Sequence, residues 1–528
     1  MDALLGGFAV VMTPANLLYC FIGAFLGTVV GILPGLGPLT TIAILLPITF
    51  KMDVTSAIIM LSGIYYGVAY GGTVTSVLMR IPGEASSVIT CLDGYEMARK
   101  GRAGPALFIA GIGSFIAGTL GVVAITFLSP PLAEMVLAFG PSEYAMLMLA
   151  GLAMVTYMSG GSLPRALLMA AFGLLLGTVG SDPMNMTPRL TFGLMTLGDG
   201  VNLVPLAIGL FGLSEVLFMA RRTEAELKIL KPPSGLLGFL PSGEEARRSV
   251  GPIARGSVLG FLVGLLPGGG AVIASFLSYG VERKLSKHPE EFGKGAVEGL
   301  AGPEAANNAG TTGAFVPLLC MGIPANAITA LLIGAFMIHG VTPGPTILER
   351  QPEVFWGVVA SMYVGNVMLL ILNLPLIGLF VRILDIPRAY LTPMILAVCL
   401  VGVYSNSGNP ADVLVAVIFG FIGYGLRRHG FDLGIVILAY VLGPIFERSV
   451  RQALAISDGD PMIFLHSKLS RSGLGDELEL VAPAHAGAAL HDVDHAFQRA
   501  RDGGRRSWRG RGWSPCRPTA SGRRRGRS

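Results

Sequence analysis

The chain has 528 residues, of which 52% are hydrophobic and 13% charged, with a formal net charge of +5. Soluble domains carry about twice that charged fraction, so an ordinary soluble enzyme or binding module is excluded. The five cysteines (Cys20, Cys91, Cys320, Cys399 and Cys516) have no CxxC or paired spacing and read as small core residues, not as a disulfide framework or metal site.

Apolar runs lie at 17–33, 103–128, 142–158, 162–180, 200–220, 256–279, 354–381, 390–404, 411–426 and 431–446. Most reach the ~17–25 residues of a spanning helix. They are continuous, not alternating, so the spans are helices and not barrel strands. The N-terminal stretch "MDALLGGFAVVMTPANLL" has no basic n-region and no small-residue cleavage site, and does not read as a cleaved signal peptide. The expected fold is an all-α polytopic membrane protein with about 10–12 transmembrane helices in two inverted repeats, with broken helices and re-entrant segments.

The first break is "GILPGLGPLT" at 31–40, and "GLLPGGGAVI" at 264–273 repeats it. Proline removes a backbone donor and glycine gives up helical order, so each motif interrupts its helix. Gly31 pairs with Gly264 and Pro34 with Pro267, both at one and the same offset along the chain. Downstream, "YGGTVTSVLMRIPGEASSVI" (70–89) resembles "NAGTTGAFVPLLCMGIPANAIT" (308–329), with Pro82 opposite Pro324 at a slightly larger offset. "RAGPAL" at 102–107 then falls opposite "TPGPTI" at 342–347. Four matches in order point to an internal duplication.

Charge orients the two copies. The loop after the first break holds only Lys51, while its counterpart holds Arg283, Lys284, Lys287 and Lys294. The later loops reverse this: Arg99, Lys100 and Arg102 against none in "MIHGVTPGP". Cytoplasmic loops collect Lys and Arg, so equivalent loops are expected on opposite faces, and cysteines at 101 and 344 should report opposite sides. Residues 1–220 form the first membrane repeat, 221–255 a cytoplasmic linker and 256–466 the second repeat. From 467 to 528 the chain is Arg- and Gly-rich, with 13 basic and 6 acidic residues. It reads as a dispensable disordered basic tail or as out-of-frame translation; a nucleic-acid or anionic-lipid patch is the other reading, and no nucleic-acid partner is expected for the permease.

In inverted-repeat transporters the substrate and ion sites lie where broken helices expose their ends. The expected substrate contacts are Gly35, Gly37, Gly268, Gly269 and Gly270, where the backbone approaches the ligand, with Arg80, Pro82, Gly83 and Asn326 at the Ile-Pro turns. Valine at Gly269 or Gly72 should abolish uptake, and at Gly173 should be milder. Gly72, Thr73, Thr75 and Ser76 in one half, and Glu304, Asn307, Asn308, Thr311 and Thr312 in the other, offer neutral oxygens and one carboxylate to a sodium ion. The same residues also suit hydrogen bonding between helices. Glu84, Asp93, Glu96 and Glu298 flank the breaks, where an acid either binds a coupling cation or caps a helix or pairs with Arg99 or Lys100. His339 reads as a packed core histidine.

"GILPGLGP", "IPGEASSVITCLDGYEMARKGRAGPAL", "LGTVGSDP" and "GPEAANNAGTTGAFVPLLCMGIPANAITALLIGAFMIHGVTPGP" resemble the large permease subunit of the tripartite tricarboxylate transporters, over about residues 15 to 460. That resemblance implies a permease in a bacterial inner membrane that takes up carboxylates on a sodium or proton gradient. It also implies a small membrane subunit and a periplasmic solute-binding protein as partners, and no cofactor beyond the coupling ion. Relatives continue with a last hydrophobic segment where this chain has "FLHSKLSRSGLGDELEL". A passive channel or an intramembrane enzyme is the alternative. No H-E-x-x-H, G-x-S-x-G or G-x-x-x-x-G-K-[ST] occurs, and only four scattered histidines (His288, His339, His429 and His466) precede the tail. No enzyme is therefore expected.

Overall fold

The helices stop where proline and glycine interrupt the apolar runs. In the computed structural model, residues 2–33, 36–158, 162–182, 184–221, 230, 235–266, 268, 270–382 and 388–466 are described. The chain forms two units, Met1–Leu474 and Gly475–Ser528. The second unit lies outside the described residues, as do the whole tail from 467 and Pro34, Gly35, Pro267 and Gly269.

After a short α1 (Asp2–Val11), α2 (Pro14–Ile32) ends at the first break. α3 (Pro38–Leu45) and a 3-10 turn (Leu46–Lys51) lead into α4 (Val54–Met79). Gly23, Gly27 and Gly31 of α2 face the carbonyl oxygens of Met60, Ile64 and Val68, so α2 and α4 run parallel. Ser56 Oγ donates to Asn16 Oδ1 at 2.5 Å, which sets the start of α4 level with the start of α2. The chain between them must therefore turn at 33–37 and return: a re-entrant hairpin.

A 3-10 turn (Ala85–Val88) and α5 (Thr90–Met97) follow, then α6 (Ala103–Leu137), α7 (Pro141–Met158) and α8 (Leu163–Gly177). Strands β1 (Gly180–Ser181) and β2 (Pro188–Arg189) make a small antiparallel ribbon. Arg189 forks onto Glu447 at 2.8 and 3.2 Å, and Arg451 reaches Asp182 at 2.7 Å. The Arg451 guanidinium holds the Asp182 carboxyl at about 2. The Arg451–Asp182 pair thus contributes fully above the ordinary carboxylate range, and that contribution is lost as pH falls through about 2. α9 (Leu203–Ala207) runs through a wide turn (Ile208–Leu213) into α10 (Ser214–Arg221).

The second copy repeats the first. α11 (Gly243–Gly264) ends at the second break, α12 (Gly270–Leu285) returns, and α13 (Val297–Gly313) lies parallel to α11. Gly256, Gly260 and Gly264 face the carbonyl oxygens of Gly302, Ala306 and Gly310. Each of these glycines stands as far beyond its counterpart in α2 as Pro267 stands beyond Pro34. Each carbonyl stands as far beyond its counterpart in α4 as Pro324 beyond Pro82. Arg248 forks onto Glu298 at 2.9 and 2.8 Å, at the level that corresponds to the Asn16–Ser56 contact of the first copy. α14 (Ala327–Ile338), α15 (Ile347–Arg350), α16 (Pro352–Asn373), α17 (Ile377–Val381), α18 (Arg388–Ser407), α19 (Pro410–Arg428), α20 (Leu433–Ile456) and α21 (Ile463–His466) complete the unit.

Seven of the described helical segments are long and apolar enough to cross a membrane: Pro14–Ile32, Val54–Met79, Thr90–Leu137, Leu203–Arg221, Pro352–Asn373, Pro410–Arg428 and Leu433–Ile456. The fold is an all-α polytopic membrane protein. Val54–Met79 is not among the expected apolar runs. Its most apolar stretch is entirely buried in protein, so it keeps the Ser, Thr, Gly and Tyr that a lipid-facing helix would lack. The expected run at 256–279 is divided at the Gly268–Gly270 break.

The loops meet crosswise. Lys100 Nζ donates to Lys294 O at 2.6 Å, and Asp93 accepts from Gly295 N and Ala296 N at 2.7 and 2.9 Å. The second loop of one copy thus touches the first loop of the other, and these are the two basic loops. His339 Nε2 lies 3.2 Å from Thr49 Oγ1, joining the two loops poor in Lys and Arg.

Candidate functional site between the two breaks

Each copy ends its long helix in a reversal that presents a polar cap. Arg80 takes the left-handed conformation (φ 58°), and Gly322, its counterpart in the second copy, does the same (φ 71°). Glycine adopts it without a Cβ penalty, whereas arginine does so rarely. Ile-Pro follows in both copies. A capping box then starts the returning segment, Glu84 with Ser87 in one copy and Asn326 with Thr329 in the other.

The caps are exchanged between copies. Asn307 Nδ2 on α13 donates to Glu84 Oε1 at 3.2 Å. Asn326 Nδ2 donates to Tyr65 Oη on α4 at 2.9 Å. Tyr65 and Asn307 are themselves counterparts, separated in the chain as Pro82 is from Pro324, so each cap leans on the equivalent level of the other copy's helix. The register matters for the expectation that set Thr73, Thr75 and Ser76 opposite Asn307, Asn308, Thr311 and Thr312. The constant separation kept by the helix contacts places Asn307 opposite Tyr65 and Thr311 opposite Ala69. The expected match follows local Gly-Thr composition, which those contacts do not keep.

A cavity of about 660 Å³ opens between the breaks and the caps. The first turns of α3 (Gly37 to Thr40), α12 (Gly270 to Ile273), α14 (Asn326 to Ile328) and α20 (Asp432 to Gly434) all reach it. Such N-termini carry partial positive charge and N–H groups that no helical carbonyl takes up. Asn326 caps α14 and Asp432 caps α20, but α3 has no side-chain cap. Glu84, Tyr65, Thr311 and Arg427 complete the polar lining, and Phe211 and Phe431 contribute apolar surface.

Of the expected substrate contacts, Gly37, Gly268, Gly270 and Asn326 line this cavity. Gly268 (φ 80°) also donates its N–H to Ala325 O at 2.7 Å, tying the break to the Ile-Pro turn. Gly35 and Gly269 lie outside the described residues. Gly83 packs behind the cavity, where a Cβ would overlap Gly31 O and Gly72 Cα. Pro82 is half-buried in the same turn. Arg80 is exposed, its guanidinium 5.7 Å from the Tyr95 ring centre, and does not line the cavity.

The expected ion ligands are more scattered. Thr311 reaches the cavity and Gly72 abuts Glu84. Glu304 is fully buried, accepting from Thr73 Oγ1 at 2.7 Å and from Thr90 Oγ1. Asn307 Oδ1 is buried without a partner among the described residues. Thr75, Ser76 and Thr312 hydrogen-bond to backbone carbonyls, and Asn308 bonds to Ser114 and Glu304 O. Among the described residues no three His, Cys, Asp or Glu side chains gather to hold a metal. Glu96 pairs with Arg99 and Glu298 with Arg248, while Asp93 accepts from the 295–296 backbone. Tyr65, Arg427, Phe431 and Asp432 are not among the anticipated residues.

An α-helical protein that crosses the membrane repeatedly around a polar cavity between two broken helices has the build of a membrane transporter. The family model for the Tripartite tricarboxylate transporter TctA family matches residues 17–438, and the chain belongs to that family. It is a membrane component of tricarboxylate transport, the large subunit of a tripartite system. The chain is 48% identical over 478 residues to an uncharacterized 52.8 kDa protein in the TAR-I ttuC' 3' region of Agrobacterium vitis, covering 90% of this chain and 95% of that one. A second A. vitis protein, in the TAR-II ttuC' 3' region, is 50% identical over 216 residues, 41% of this chain and 89% of its own. No solved structure matches the chain.

Proposed function

We propose that the protein is the permease subunit of a binding-protein-dependent secondary transporter in a bacterial inner membrane. It takes up tricarboxylates or related carboxylates on a sodium or proton gradient, and works with a small membrane subunit and a periplasmic binding protein. The observation that carries this reading is the convergence of four helix N-termini on one cavity, one of which, that of α3, has no side-chain cap. An anion supplies acceptors for N–H groups that lipid cannot satisfy.

Proteoliposomes holding the chain with its two partner subunits should accumulate labelled citrate above the external level when an inward gradient is imposed. Accumulation should collapse with the ionophore for the coupling ion. Flux that only equalises citrate would indicate a channel, and absence of carboxylate flux under either gradient would overturn the reading.

The two copies are read as inverted about an axis in the membrane plane, a relation that the exchanged caps and the crosswise meeting of loops support. Gly101 is exposed, but Gly344 is buried beside Met321, so Thr342 is the better partner for labelling. The described native cysteines are buried, which keeps background low. G101C should react with an impermeant maleimide only in inside-out vesicles and T342C only in right-side-out ones. Labelling from the same side would contradict the inversion.

A further inference from the structure

Arg427, in the last turn of α19, is the only Lys or Arg among the described residues lining the cavity. Its Nη1 donates to Glu215 of α10, a carboxylate left 1% exposed, and its guanidinium carbon stands 4.9 Å from the Phe218 ring centre. The charge is therefore aimed, but only partly used. Three other ion pairs are forked, with Arg248 on Glu298, Arg255 on Glu282 and Arg189 on Glu447 each making two hydrogen bonds, while Arg102 on Glu245 and Arg451 on Asp182 make one. Arg427 makes one to Glu215, and no described side chain takes its Nε or Nη2. A guanidinium can hold two carboxylates at once, as Arg248 does with Glu298 and Glu291.

We propose that Arg427 is a specificity-determining residue, taking one carboxylate of a substrate whose other carboxylate sits at the N-termini of α3 and α12. This rests on the reading of the cavity as the substrate site, and deepens it by assigning a residue to the second carboxylate of a substrate with carboxylates at both ends. The free edge of the guanidinium matches a carboxylate in two-point geometry, which a lysine cannot reproduce. A monocarboxylate satisfies one pole of the cavity and leaves the other unfilled.

The test is competition against labelled citrate uptake by the reconstituted system, using unlabelled citrate, succinate and propionate. R427K keeps the charge and loses the fork. R427Q/E215Q removes both charges, so no buried carboxylate is stranded. Half-saturating citrate should rise about tenfold in R427K and further in the double variant, with propionate inhibition unchanged. In the unmutated chain, citrate but not propionate should slow phenylglyoxal modification of Arg427, followed by mass spectrometry. Unchanged citrate affinity in the variants, an equal loss for citrate and propionate, or modification indifferent to citrate would overturn the role of Arg427 and leave the cavity reading intact. Failure of the unmutated system to take up any carboxylate would overturn the cavity reading, and this assignment with it.

Discussion

Leucine in place of Gly27 or Gly260 should remove folded protein from the membrane fraction. A Cβ on Gly27 would lie 2.7 Å from Ile64 O, and one on Gly260 would overlap Ala306 O. The obstacle is backbone in both cases, so no side-chain rotation relieves it. Close approach of small residues is what drives helix association in lipid, where apolar burial contributes little. The cost should exceed the roughly 1–3 kcal/mol of ordinary overpacking, because the parallel helix pair must separate. Size-exclusion profiles in detergent should lose the monodisperse peak for both variants. A normal peak with unchanged thermal stability would show that the glycine rows do not hold the helix pair within each copy together.

Valine at Gly268 or Gly270 should have a different signature: inserted, monodisperse protein with citrate uptake reduced at least about tenfold. Both glycines have positive φ, 80° and 55°, where a β-branched residue is strained by on the order of 1–3 kcal/mol. That strain is local to the break and too small to unfold the chain. It shifts the first turn of α12 and the Gly268–Ala325 hydrogen bond, both of which shape the cavity. Gly280, in the middle of α12, is the proper control, since a Cβ there meets nothing within 4 Å. Gly173 is not a permissive control as expected, because a Cβ there would overlap Val436 O. Normal uptake by Gly268→Val and Gly270→Val would remove the breaks from the site.

The breaks were legible because proline and glycine act through the backbone, and their effect does not depend on distant partners. The same holds for the caps: an Ile-Pro turn followed by Glu84 or Asn326 starts a helix by local hydrogen bonding alone. The cavity wall was less legible. Arg427 stands in "GLRRHG" and Asp432 in "GFDLG", ordinary signals of a helix end and a helix start, and only tertiary packing brings them to breaks far away in the chain. Tyr65 was hidden in a helix whose polar content masked it as a span. Arg80 was assigned to the substrate on its nearness to an Ile-Pro turn, yet its left-handed conformation turns it outward over Tyr95.

Contacts traded as the caps are, i with j and j with i, are those an isologous dimer makes. In a dimer of identical half-length chains, whatever residue stood at the place of Glu84 would stand at the place of Asn326 as well. An acid in one cap and an amide in the other, with a phenol and an amide beneath them, are differences that such a dimer could not carry and that a single chain can. One continuous chain gives the cavity two walls whose residues can differ.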